Sequence, residues 1–135
     1  MWGDTVMAGE KILVIDDTPI IGTAFQKELG PEGYAIDVVY DAESALAKIK
    51  KNKYDIIFVD LVLPGMDGVQ TCKEITAISP DSIQIFMTGN FETDPIFKEA
   101  EFIQAGGKTY YLYKPFAKGE LLEVTRKALN EKNKK

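Results

Sequence analysis

Two short apolar runs, Ile12-Leu13-Val14-Ile15 and Ile56-Ile57-Phe58-Val59, each break off at aspartate, the first at Asp16-Asp17 and the second at Asp60. Runs of this length, rich in β-branched residues and without polar alternation, read as strands buried on both faces, as in a parallel sheet covered by helices. In such a sheet the carboxyl ends of neighbouring strands lie side by side, and ligands bind in the crevice beyond them. If the two runs are neighbours, three carboxylates converge there. Like charges that close are unfavourable unless a proton or a cation is shared. A hard divalent ion such as Mg²⁺ takes oxygen ligands and suits such a place. The two runs thus predict an acidic, metal-dependent site.

The rest of the chain alternates strand and helix patterns five times. Strands are expected at 11–16, 35–39, 55–60, 83–87 and 109–113. The first helix is expected over 19–29, stopped by Gly30-Pro31. Asp41 is placed to cap the second, where Ala42, Ala45, Leu46 and Ile49 recur at helical spacing. The third starts near Asp67, buries Val69, Cys72 and Ile75, and ends before Pro80. The fourth begins at Pro95 with Asp94 as its cap. The fifth runs from about Lys118 to Leu129, with Leu121, Leu122, Thr125, Ala128 and Leu129 inward. Strict β-α alternation implies right-handed crossovers and an α/β fold with a five-stranded parallel sheet. The first, third and fourth strands are the most uniformly apolar and should be central. The second and fifth carry polar atoms and should be edges. The order 2-1-3-4-5 satisfies this and sets the first and third strands together at the switch point.

Composition narrows the function. The 135 residues suit one domain, with 1–9 expected as an N-terminal tail, 10–132 as the domain and 133–135 as a C-terminal tail. The formal charge of −5 argues against nucleic acid as the main partner, because phosphate binding needs a basic patch. No apolar stretch approaches the length of a membrane helix and no secretory signal is visible. With Cys72 the single cysteine, no internal disulfide can form, which fits a reducing, cytoplasmic setting. Histidine is absent, so no His-based triad or His metal site is possible.

Two further residues join the acidic set. Thr88 follows the run Ile83 to Met87, and Lys114 ends the fifth strand before Pro115-Phe116. Taken together, "VIDD", "VDLVLPGMDG", "MTG" and "YKPF" resemble the receiver domain of two-component response regulators, chemotaxis-regulator-like, with a flavodoxin-like doubly wound fold. The resemblance covers about Lys11 to Leu129. Each motif alone is weak, but five positions in order, each at an expected strand end, make a specific combination.

That resemblance implies roles. Asp60 corresponds to the phosphoryl-accepting aspartate, Asp16 and Asp17 to the acidic pair that holds Mg²⁺, and the Val62 backbone carbonyl to a further metal ligand. Thr88 would hydrogen-bond the phosphoryl group, and Lys114 would pair with Asp60 and then with a phosphoryl oxygen. A cis Lys114-Pro115 bond is expected, and Pro64-Gly65 would shape the loop after Asp60. Tyr111 matches the switch aromatic, although the stretch from Thr88 to Gly106-Gly107 is a few residues longer than is usual. Tyr113, on the same strand face, is an alternative. Implied partners are a sensor histidine kinase or histidine phosphotransfer protein and a downstream protein or effector domain. A dimer through helix four, strand five and helix five is a further possibility, with no nucleic acid or membrane bound by this domain. The domain would not be an enzyme beyond self-phosphorylation and slow autodephosphorylation. Val62 and Asn90 occupy positions that tune phosphoryl lifetime, and an apolar Val62 cannot orient a hydrolytic water, so a persistent phosphoryl group is expected.

Plainer explanations exist for single residues. Asp41, Asp67 and Asp94 are ordinary caps or turn residues, and Asp16-Asp17 alone would be a cap pair before Pro19. Gly107-Lys108-Thr109 mimics the end of a phosphate-binding loop but stands between helix and strand in the wrong order. Three alternatives remain for the whole chain. One is a receiver fragment of a DNA-binding transcriptional regulator. Another is a haloacid-dehalogenase-type phosphatase, which wants a second Asp where Val62 stands. The last is a degenerate receiver that binds partners without phosphate.

Overall fold

Five strands and five α-helices alternate along the chain: β1 (Lys11–Ile15), α1 (Pro19–Leu29), β2 (Ala35–Val39), α2 (Ala42–Lys51), β3 (Ile56–Asp60), α3 (Gly68–Ile78), β4 (Ile83–Thr88), α4 (Pro95–Gln104), β5 (Tyr111–Tyr113) and α5 (Glu120–Lys132). The computed structural model describes residues 9–61, 63, 68–89, 95–108 and 111–132, with backbone alone at 95–99 and 111. The strands form one parallel sheet in the order β2-β1-β3-β4-β5. This is the order inferred from strand composition. β3 and β4 are buried at every position, whereas β2 is only partly covered.

Side chains alternate across the sheet and build a core on each face. On one face Val14, Phe58 and Met87 pack with Phe25 and Leu29 of α1 and Leu121 of α5. On the other, Ile15, Val59 and Phe86 meet Ile49 of α2, Cys72 of α3 and Phe102 of α4. Aromatic contacts stiffen both layers: Phe25 lies 4.7 Å from Phe58, and Phe86 lies 5.1 Å from Phe102, between ring centroids. Burying each such ring contributes about 1.5–3 kcal/mol.

The local signals hold, with α1 at its expected bounds and small shifts at the ends of other elements. Asp41 caps α2 by accepting a hydrogen bond from the Ser44 N–H at 2.7 Å. Proline opens α1 and α4. Gly30, however, does not stop the chain in a left-handed turn. It stays right-handed and starts a 3-10 turn over Gly30–Glu32, and Gly33 at φ 97° makes the reversal. Helix α5 starts at Glu120 rather than Lys118, because Gly119 is left-handed at φ 84°. The Glu120 carboxylate accepts from the Ala117 N–H at 2.9 Å and so fixes that start. The expected roles of Asp67 and Asp94 in the starts of α3 and α4, and the start of β5 at 109–110, lie outside the described residues. Among the described residues no helix is long and apolar enough to cross a membrane.

Candidate active site

Register brings the acidic residues together. Ile15 pairs with Val59, so Asp16 and Asp60 are the next residues along neighbouring parallel strands. Alternation then turns both side chains to the α1/α5 face. Asp16 and Asp60 are buried, Asp17 is exposed, and carboxylate oxygens of all three lie within 4.8 Å of one another. Asp60 also pairs with Met87, so Thr88 is one step further on β4, where it is buried and in register with Tyr113.

Lys114 completes the cluster from the far side. Its backbone N–H donates to the Thr88 carbonyl at 2.9 Å, which continues the β4–β5 ladder by one residue. Its ammonium stands 2.6 Å from Asp16 Oδ2 and donates to Asp60 Oδ2 at 3.2 Å. Burial works against the charged amine. The contacts with Asp16 and the negative charges of Asp60 and Asp16 outweigh it and hold the amine above its ordinary pKa. The Lys114-Pro115 bond is cis, in line with the expectation.

The two oxygens of Asp16 differ. Oδ1 accepts from the Thr18 N–H at 2.9 Å and orders the turn into α1, but the cap position itself is held by Thr18, so Asp16 is a turn residue and not the helix cap. Oδ2 is buried and has no well-directed hydrogen bond, although the Lys114 ammonium is close. The direction of that approach makes it an ion pair rather than a hydrogen bond. Among the described residues, three carboxylates share the one ammonium of Lys114. An under-coordinated buried oxygen in that setting is a donor set that a hard divalent cation fits.

The Val62 carbonyl, the Pro64-Gly65 turn, Asn90 and the Tyr111 side chain lie outside the described residues. The Tyr111 backbone pairs with Phe86. Two features went unread in the sequence. Gln84, inside an apolar run, is buried and donates to the Thr76 hydroxyl at 2.9 Å. The same hydroxyl bonds the Ala105 carbonyl at 2.6 Å, tying α3 and β4 to the end of α4. Gly68 is the other. Its lack of a side chain lets α3 meet the backbone of Asp60 and Leu61. A glycine after an aspartate signals a turn as readily as a close approach, so spacing alone could not single it out.

Comparison with known proteins separates the receiver readings from the phosphatase reading. The family described as the response regulator receiver domain matches residues 12–126. This chain belongs to that family. Among curated relatives, the response regulator ArlR of Staphylococcus saprophyticus is 31% identical over 125 residues, covering 93% of this chain and 54% of the relative. The transcriptional regulatory protein ResD of Bacillus subtilis is 35% identical over 114 residues, covering 83% of this chain and 45% of that protein. The chain thus spans about half the length of the curated relatives it matches. Among solved structures, a CheY-like receiver domain protein from Methanospirillum hungatei JF-1 superposes with a TM-score of 0.85 at 27% identity, covering 94% of this chain and 98% of that one. The receiver assignment displaces the haloacid-dehalogenase alternative, and the sheet order is that of the CheY-type fold.

Proposed function

We propose that this receiver is a phosphorylation-dependent switch in which Asp60 accepts a phosphoryl group from a partner histidine kinase or histidine phosphotransfer protein. The observation that carries the reading is the bridging position of the Lys114 ammonium, 2.6 Å from Asp16 and 3.2 Å from Asp60. It joins a cation to the acceptor carboxylate, which is itself buried.

Phosphoryl transfer asks a protein for positioning and charge neutralisation more than for covalent help. A carboxylate oxygen of Asp60 attacks phosphorus in line, the bond from phosphorus to the donor breaks, and the donor leaves with that electron pair. An acyl phosphate results. Lys114 shifts from the Asp60 carboxylate to a phosphoryl oxygen, and the Thr88 hydroxyl donates to another. Asp16, Asp17, Asp60 and the Val62 carbonyl would hold Mg²⁺, which supplies positive charge beside the transferring oxygens. With no histidine in the chain, the donor is another protein or a small acyl phosphate.

The product carries a dianionic group where a carboxylate stood. Drawing Thr88 toward it biases α4, β5 and α5, with Tyr111 or Tyr113 as the aromatic that follows. That surface would meet a downstream protein, an effector domain or a second copy. The name of ResD, a transcriptional regulatory protein, supports one specific context, a receiver that acts in transcriptional control in the cytoplasm. Incubation with acetyl phosphate tests the core claim. Wild type should gain one phosphoryl mass in a Mg²⁺-dependent way, and Asp60→Asn should gain none. Thr88→Ala should accept the group yet leave the α4–β5–α5 surface unchanged by hydrogen exchange. Equal labelling of wild type and Asp60→Asn would refute the assignment.

A further inference from the structure

Helix α3 begins against the phosphoryl acceptor itself. The Gly68 N–H, one of the first-turn donors that no helical carbonyl can satisfy, donates to the Leu61 carbonyl at 2.9 Å. Leu61 is buried, and its own N–H donates to the Met87 carbonyl at 3.0 Å. The residue immediately after Asp60 is therefore held at both its peptide groups, once by β4 and once by α3. The approach is so close that a Cβ on residue 68 would lie 2.5 Å from the Asp60 carbonyl oxygen and 2.6 Å from Leu61 Cα. Both of those atoms are backbone and cannot swing aside.

Gly68 also has no positive φ, so glycine is not needed there for its conformation. By helix propensity alone, alanine would be favoured. The requirement is for space, and the space lies on the acceptor's backbone.

We propose that Gly68 is a positioning residue: its missing side chain lets α3 clamp the Asp60–Leu61 backbone, which fixes the Asp60 carboxylate relative to Asp16 and Lys114. The inference rests on the reading of Asp60 as acceptor in a cation-binding pocket. In a buried cluster whose contacts run from 2.6 to 3.2 Å, a backbone shift at Asp60 is passed directly to its carboxylate. Gly68 touches neither cation nor phosphoryl group and acts only through residues 60 and 61.

The test compares Gly68→Ala with Gly22→Ala. A Cβ at Gly22 would press on Val38 Cγ1 at 2.7 Å, a crowded contact between α1 and β2 that does not involve Asp60. Mg²⁺ affinity is measured by titration calorimetry on folded protein, with melting temperature alongside. Gly68→Ala should bind Mg²⁺ about tenfold more weakly than wild type. At saturating Mg²⁺ and acetyl phosphate its phosphorylation rate should fall by about a hundredfold, the scale expected for a misplaced reacting group. Gly22→Ala should lose melting temperature but keep wild-type Mg²⁺ affinity. Wild-type affinity in Gly68→Ala, or equal losses in both variants, would overturn the proposal. If Gly68→Ala does not fold, amide exchange in the wild type decides: a slow Gly68 amide supports the clamp, and one exchanging as fast as a free loop amide overturns it. A wild type that neither binds Mg²⁺ nor takes phosphate ends the underlying reading and this inference with it, and that failure shows before any variant is made.

Discussion

The Lys114 ammonium stands 2.6 Å from Oδ2 of Asp16, although β3 and β4 lie between the strands from which the two residues emerge. Asp16 is fully buried, and removing its counter-charge would strand it in a pocket with two other carboxylates. Lys114→Met should therefore destabilise the metal-free protein by about 3 kcal/mol, the usual scale for breaking a buried pair from one side. Saturating Mg²⁺ should recover much of that loss, since a ligand of the folded state alone adds stability by mass action. Urea unfolding of wild type and variant, with and without Mg²⁺, measures both effects. A Lys114→Met protein as stable as wild type without metal would contradict this electrostatic account.

Asp60→Asn should act in the opposite sense. It removes one of three crowded negative charges, while Asp16 remains to hold Lys114. Relief of that repulsion should stabilise the metal-free protein by about 1 kcal/mol. The same change removes a proposed cation ligand, so any stabilisation conferred by Mg²⁺ should shrink. Thermal melts at low and high Mg²⁺ should show the two curves approaching or crossing.

The parts of this molecule that were legible in the sequence are those governed by pattern. Strand burial at Ile56–Val59 and the capping aspartate at 41 are local, and each was set by a few neighbouring residues. The site was legible because strand ends in a parallel sheet share one rim, so five distant residues could be placed together without coordinates. What escaped depends on approach distances between segments. Nothing local marks Gln84 as the partner of Thr76, or Gly68 as the residue in contact with Asp60. The division of Asp16 between a turn and an ion pair likewise needs both oxygens located.

Cys72 gives a pH-dependent prediction away from the site. Burial pushes its thiol from 9.0 up to about 12, against a small opposing effect of the Thr76 hydroxyl. A raised folded-state value means that the native protein keeps a proton which the unfolded chain gives up. The associated stability is complete below pH 9 and is lost as pH rises toward the folded value. By pH 10 the loss should be roughly 1 kcal/mol. Tyr54 is also shifted upward, by burial and its bond to Asp37, but its loss begins only above its ordinary value of 10.0. Between pH 9 and 10 the slope should therefore belong to Cys72, and Cys72→Ala should flatten it in urea titrations.

The lifetime of the acyl phosphate tests how this receiver is tuned. Hydrolysis needs a water placed in line behind phosphorus, and a polar side chain near the acceptor is the simplest means of placing it. Val62, two residues after Asp60, offers no hydrogen bond to such a water. The acyl phosphate should accordingly persist, and Val62→Asn should shorten its lifetime by roughly tenfold through orientation alone. The measurement is loss of phosphoryl mass after acetyl phosphate is removed, at fixed Mg²⁺. Unchanged decay in Val62→Asn, with normal phosphorylation, would mean that water is placed by groups other than residue 62. Asn90, whose amide is present in both proteins, would then be the next to replace.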